Sequence, residues 1–145
     1  MPLTQSEADS LIALAKVFEN DDPLIIGDAA IDFTRRLVSE DRREIFMLDM
    51  WRGSLNLSKY KIQLRGREIT PLVRVDVAGA PHTNPDDSVV ECPHIHLYRE
   101  GYEDEWAFPL KDFPFRDPDD IVVTFEDFAR FCNIQSFPNI QWRTK

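Results

Sequence analysis

Residues 55–78 read LNLSKYKIQLRGREITPLVRVDVA. Its second half places Val73, Val75 and Val77 on one side and Arg74 and Asp76 on the other, the two-residue period of a strand with one buried face. The first half places Tyr60, Ile62 and Leu64 against Lys61, Gln63 and Arg65. Its apolar parity switches between Leu57 and Tyr60, as a β-bulge would produce. The connection between the halves is too short for a crossover, so the two strands pair antiparallel.

Working outward, residues 89–99 alternate again, with Ile95 and Leu97 opposite His94, His96 and Tyr98. Residues 105–110 form a short strand, and the apolar run 44–52 forms a long one. Residues 24–43 read either way. Ile31, Phe33, Arg35 and Leu37 alternate like a strand, while 29–38 could also wrap as a short helix. The strand is preferred, with a turn over 39–42. At the N-terminus, Thr4 and Glu7 fit a capping box, and Leu11, Leu14, Ala15 and Phe18 recur at helical spacing, so a helix is predicted to stop near Asn20. Residues 112–120 form a loop. Thr124, with Asp127 three residues on, caps a second helix whose core face is Phe125, Phe128, Ala129 and Cys132. The tail 133–145 is apolar enough to pack back on the body. The predicted fold is α+β: an antiparallel meander sheet of five to six strands with an N-terminal and a C-terminal helix, residues 1–145 forming one domain.

A chain of 145 residues with 43% hydrophobic and 30% charged residues buries a core without disulfides, and is neither collagen-like nor wholly disordered. It has no run of the roughly 20 apolar residues a membrane helix needs. MPLTQSEADS lacks the basic and apolar regions of a secretory signal, and Cys92 and Cys132 have neither zinc-type nor disulfide-framework spacing. A cytoplasmic location with no membrane partner is expected. The net charge of −9 repels nucleic acid on average, yet residues 51–75 carry Arg52, Lys59, Lys61, Arg65, Arg67 and Arg74 against Glu68 alone. This basic island is either a local anion site or a solvated strand face balancing acidic neighbours.

The strand parities converge on one polar face. It collects Lys61, Gln63 and Arg65 from one strand, Arg74 and Asp76 from the next, and His94, His96 and Tyr98 from a third. His82 lies in the connection between the last two, so all three histidines fall within fifteen residues. Solvated faces more often carry Thr, Lys and Glu. The plain alternative is a structural polar face whose histidines hydrogen-bond locally.

Three chemistries suit the face. In metal-free RNA cleavage, His94 and His96 serve as acid and base, Arg74 holds the phosphate and Asp76 orients a histidine, with Lys61, Gln63, Arg65, His82 and Tyr98 binding substrate. In a metal site, His94, His96 and Glu100 form an HxHxxxE pattern of one strand parity, to which His82 adds a ligand. This pattern resembles the first motif of cupin metal proteins, but no histidine follows His96 to supply their second motif. The third use is no catalysis: an acidic phage or mobile-element binding or inhibitor protein that occupies a basic partner. Acidic clusters 103–105 and 117–120 suit this, although charge runs are usually solvated surface. No glycine-rich phosphate loop or GxSxG elbow is present. Cys92 shares the parity of His94, but a buried structural thiol accounts for it better than a nucleophile.

The run LVRVD (72–76), GAPHTNPD (79–86), PHIHLYREGY (93–102) and Trp106-Ala107 resembles an uncharacterised bacterial and prophage domain family of about this length, from the N-terminal helix to Ile134. The element order is similar to the barnase/EndoU/colicin/RelE group of endoribonuclease toxins. That similarity implies His94 and His96 as the acid–base pair, Arg74 as the phosphate binder, no cofactor, and RNA and a cognate antitoxin as partners. The expected function is a metal-independent endoribonuclease of the toxin type.

Overall fold

The fold is described from a computed structural model of the chain, covering residues 2–27 and 29–143. Helix α1 (Gln5–Ala13) starts in the expected capping box: the Glu7 N–H donates to the Thr4 hydroxyl, and the Thr4 N–H to the Glu7 carboxylate. It ends earlier than the spacing of Leu14, Ala15 and Phe18 predicts. Lys16 turns back, and its ammonium donates to the carbonyls of Ile12 at 2.8 Å, Leu14 at 2.7 Å and Cys132 at 2.7 Å. These bonds satisfy carbonyls at the ends of both helices, and the chain leaves α1 as strand β1 (Lys16–Phe18).

Next come β2 (Leu24–Gly27), β3 (Ile31–Ser39), β4 (Ile45–Arg52), β5 (Tyr60–Gly66) and β6 (Thr70–Val77). A small hairpin, β7 (His82–Thr83) with β8 (Val89–Val90), precedes β9 (His94–Leu97) and β10 (Ala107–Pro109). A 3-10 turn (Leu110–Asp112), helix α2 (Ile121–Phe131), β11 (Ile134–Ser136) and β12 (Ile140–Arg143) complete the described chain.

The main sheet has eight strands in the order β10-β9-β6-β5-β4-β3-β1-β11. Its β3-β4-β5-β6-β9-β10 portion is the antiparallel meander that the alternation predicts. The expected five to six strands fall short because β1 and β11, three residues each, extend the sheet beyond β3, and β11 lies parallel to β1. Segments this short carry no readable period. A separate parallel pair, β2 with β12, folds the C-terminal tail back; Thr144 and Lys145 of that tail lie outside the described residues. Residues 31–39 are strand, as preferred, with the turn following.

Three local expectations are corrected. Leu55, fully exposed, and Leu57 belong to the β4–β5 loop, so the parity switch there marks a strand end; the irregularity in β5 falls between Leu64 and Arg65. Helix α2 is capped by Asp120, whose carboxylate accepts from the N–H groups of Val122 and Val123. Thr124 lies inside α2, its hydroxyl accepting from Tyr60 at 2.8 Å and donating to the Asp120 carbonyl. Asp127 is buried and takes Arg116 and Arg130 as ion-pair partners. Residues 89–99 are interrupted after Val90 and resume at His94, with a cis Cys92–Pro93 bond between.

Phe125, Phe128, Ala129 and Cys132 face inward as expected. With Leu37, Phe46, Leu48, Ile62, Leu64, Val75 and Ile95 they join one hydrophobic cluster between the helices and one face of the sheet. Burial of each large side chain there stabilises the fold by about 1.5–3 kcal/mol. The opposite face of β5, β6 and β9 is left for the polar residues.

Candidate functional site

Register places the polar residues side by side. On β6, Arg74 faces His96 of β9 and Gln63 of β5, and Asp76 faces His94 and Lys61. The period of two that buries Val73, Val75 and Ile95 sends Arg74, Asp76, His94 and His96 to the other face together. The Asp76 carboxylate is the hub. Its Oδ2 lies 3.2 Å from His94 Nε2 and 3.5 Å from His96 Nε2, and its Oδ1 accepts from Arg74 Nε at 2.9 Å. The Arg74 Nη2 also lies 3.0 Å from His96 Nε2, and its Nη1 donates to Asp104 at 3.2 Å. Burial pushes the Asp76 carboxyl upward, but hydrogen bonds to His94 and His96 and the charge of Arg74 prevail and hold it far below the usual carboxylate range.

Two connections roof this face. The β6–β9 connection carries the β7–β8 hairpin and brings His82 to ring-centroid distances of 4.6 Å from His96 and 6.0 Å from His94. The two strand histidines lie 5.0 Å apart. The hairpin is strapped to the sheet edge by Asn84, whose amide donates to the Ala107 carbonyl at 3.0 Å and accepts from the Ala107 N–H at 2.8 Å. At its base Gly79 has φ +138°, and a Cβ there would meet Lys59 Cε at 3.3 Å. The second connection, residues 98–106, supplies the Asp104 and Glu105 carbonyls, which receive His96 Nδ1 at 2.8 Å and His82 Nε2 at 2.6 Å. Under this roof His94 and His96 are only 2% and 1% exposed, so the face is open in the sheet but closed in the molecule.

Not every expected site residue joins. Tyr98 is a core residue: β9 ends at Leu97, the alternation stops, and the phenol turns inward to donate to the Leu3 carbonyl. Glu100 is held at the start of α1, accepting from the Gln5 N–H at 2.8 Å, so the carboxylate beside the histidines is Asp76. Gln63 and Arg65 share the face but turn toward β4, where Asp49 accepts from Gln63 at 3.0 Å and from Arg65 at 2.7 and 2.8 Å. Lys61 is exposed at the rim.

Asp49 and Asp104 were missed. Asp49 had a signal, as the one charge in the apolar run 45–51; Asp104 sits in an acidic cluster that reads as surface. The basic island is mostly neutralised. Arg52 is buried on the carbonyls of Gly27 and Ala29, Arg65 is held by Asp49, and Arg67 pairs with Glu7 and Glu44. Among the described residues, Arg52, Lys59 and Lys61 of the island form no ion pair, and of these Arg52 is tied to main-chain carbonyls. Cys92 lies 3.5 Å from His94 Nδ1, but burial and the Asp76 charge push its thiol upward, away from a reactive thiolate.

The family of unknown function DUF6978 matches residues 3–134. The chain belongs to this family. Its matched stretch contains every residue of the Arg74–Asp76–His82–His94–His96 cluster and leaves β12 outside. No curated protein and no solved structure matches the chain significantly. No helix among the described residues is long and apolar enough to cross a membrane.

Proposed function

We propose that the cluster is the catalytic centre of a metal-independent endoribonuclease of the toxin type. One observation carries the reading: three imidazoles, 4.6–6.0 Å apart between ring centroids, gather around an arginine–carboxylate pair on an antiparallel sheet face. Attack of a 2′-OH on its neighbouring phosphate needs a base, an acid and a cation at the phosphorane, and this set supplies all three. His82, half-buried at the rim, is the imidazole a substrate meets first. Its Nε2 donates to the Glu105 carbonyl, which leaves Nδ1 as the proton acceptor. Arg74 spans Asp76 and Asp104 and offers the phosphate a guanidinium already in place. His94 and His96 come within reach when the hairpin carrying His82 lifts.

The test is cleavage of single-stranded RNA by the purified chain in the presence of chelator. The wild type cleaves, and His82→Ala and His96→Ala each lose about 100-fold or more. Cleavage abolished by chelation overturns metal independence. No RNA binding even at low salt overturns the enzyme reading. Salt-sensitive capture of a basic protein would then favour the acidic binding or inhibitor protein.

A further inference from the structure

One ligand atom each from Asp76, His94 and His96 lies within 4.8 Å of the other two, and Asp76 Oδ2 stands 3.2 Å from His94 Nε2 and 3.5 Å from His96 Nε2. With metal–ligand bonds of roughly 2.0–2.2 Å, neighbouring ligands of a tetrahedral or octahedral ion stand about 3.0–3.5 Å apart. These edges therefore already have the length of a coordination polyhedron. The ring orientations agree. His96 Nδ1 meets the Asp104 carbonyl at 2.8 Å and His94 Nδ1 the Glu91 carbonyl at 3.3 Å. A carbonyl only accepts, so Nδ1 of each ring donates there and Nε2 is the atom turned to the Asp76 carboxylate. A metal ion seated at that point takes the place of a proton shared between Nε2 and the carboxylate, while the Nδ1–carbonyl bonds fix the rings as in other metal-binding histidines.

We propose that Asp76, His94 and His96 form a site for a divalent transition-metal ion of the zinc class, and that Arg74 is its built-in competitor. Two imidazoles and one carboxylate are borderline donors that suit zinc, cobalt and iron(II), and they are a poor set for magnesium or calcium, which demand oxygen ligands. Glu100 and His82 stay outside the set. The guanidinium is placed to do what the ion would do: it lies 2.9 Å from Asp76 Oδ1 and 3.0 Å from His96 Nε2. Arg74 has a second anchor in Asp104 at 3.2 Å, to which it stays bonded when an ion takes over Asp76. This site rests on geometry alone and holds whether or not the chain cleaves RNA. In the ribonuclease reading, a bound ion withdraws both strand imidazoles from proton transfer and inhibits.

The experiment is calorimetric titration of the whole chain with zinc chloride, and separately with magnesium chloride, alongside cobalt(II) titration followed by absorption and by the histidine ring resonances. One zinc ion binds, magnesium does not, and cobalt(II) shifts or broadens the His94 and His96 signals in the unmutated protein. Asp76→Asn and His94→Ala weaken zinc binding at least tenfold, whereas Arg74→Gln tightens it. The cobalt measurement needs no variant, so misfolding of Asp76→Asn leaves the proposal testable. Absence of zinc binding in both the wild type and Arg74→Gln overturns the site. Unchanged affinity in folded His94→Ala, or cobalt perturbing only other groups, places the ion elsewhere and overturns it too. Weaker zinc binding in Arg74→Gln overturns the competitor role.

Discussion

Asp76, Asp49 and Asp127 share one electrostatic condition. Each is partly or wholly buried, and each carboxyl is nevertheless held below its ordinary range: Asp76 by hydrogen bonds to two histidines and the charge of Arg74, Asp49 by Arg65, Thr34 and Gln63, and Asp127 by Arg116 and Arg130. In the unfolded chain these groups take up protons near pH 4, while in the fold they stay ionised. The unfolded state therefore binds more protons as the pH falls, and stability declines with it. Urea midpoints are expected to hold steady from pH 7 to about pH 5 and to fall below pH 4. Asp49→Asn should flatten part of that fall while lowering the midpoint at pH 7. A midpoint constant down to pH 3 would show that these carboxylates are not stabilised by folding.

At the scale of elements, the β7–β8 hairpin decides how accessible the cluster is. It is tied down by His82, which bonds the Glu105 carbonyl, and by Asn84, which pairs with the Ala107 backbone as a neighbouring strand would. Replacing that amide leaves a buried N–H and carbonyl without partners, at a cost of roughly 1–3 kcal/mol. Asn84→Ala should speed amide hydrogen exchange across residues 82–90 and at Ala107, with the β4–β5 amides unchanged as an internal reference. Equal exchange in both proteins would mean that the hairpin is held by something other than this side chain.

The elements also show what the sequence could convey. Val73, Val75 and Val77 against Arg74 and Asp76 fix a face, because strand parity is local, and the meander from β3 to β10 follows from it. Tyr98 failed because parity lasts only as long as the strand. Phe18 failed because helical spacing of apolar residues does not reveal that Lys16 will reach back to cap the helix. Burial of His94 and His96 was invisible for a related reason. The roof over them is built from loops without periodicity, tied down by Asn84 and by main-chain carbonyls. Asp76 as partner of a histidine was legible, its contact with both was not; the commitment of Arg65 to Asp49 depended on which way a long side chain turns.

For the whole molecule, charge sets the terms of any encounter with RNA. The chain carries −9 overall, and of the basic island only Lys59 and Lys61 stand outside ion pairs and outside the interior among the described residues, since Arg52 is buried on main-chain carbonyls. In the ribonuclease reading, the logarithm of single-stranded RNA affinity should fall with the logarithm of salt at a slope near −2, the release expected for about three phosphates met by Lys59, Lys61 and Arg74. Lys59→Ala/Lys61→Ala should flatten it to about −0.7, the share of Arg74. A slope of −4 or steeper would require the buried or paired arginines to open on binding. Filter binding over a range of salt concentrations measures this.

The Lys16 ammonium has a bearing on biosynthesis. Burial pushes it down to about 8, so it remains charged at neutral pH and has a proton for each of its three carbonyls. One of those carbonyls belongs to Cys132, and the strand beside Lys16 is β11. At about 5–20 residues per second, the ribosome needs on the order of 10 s to travel from the first partner to the second. Throughout that interval the nascent N-terminal third has an ammonium lacking one acceptor, an unpaired β1 edge, and a β2 whose partner β12 is not yet made. The sheet therefore closes only once β11 and β12 have emerged, and a chaperone or a partner that covers the β1 edge would act before they do.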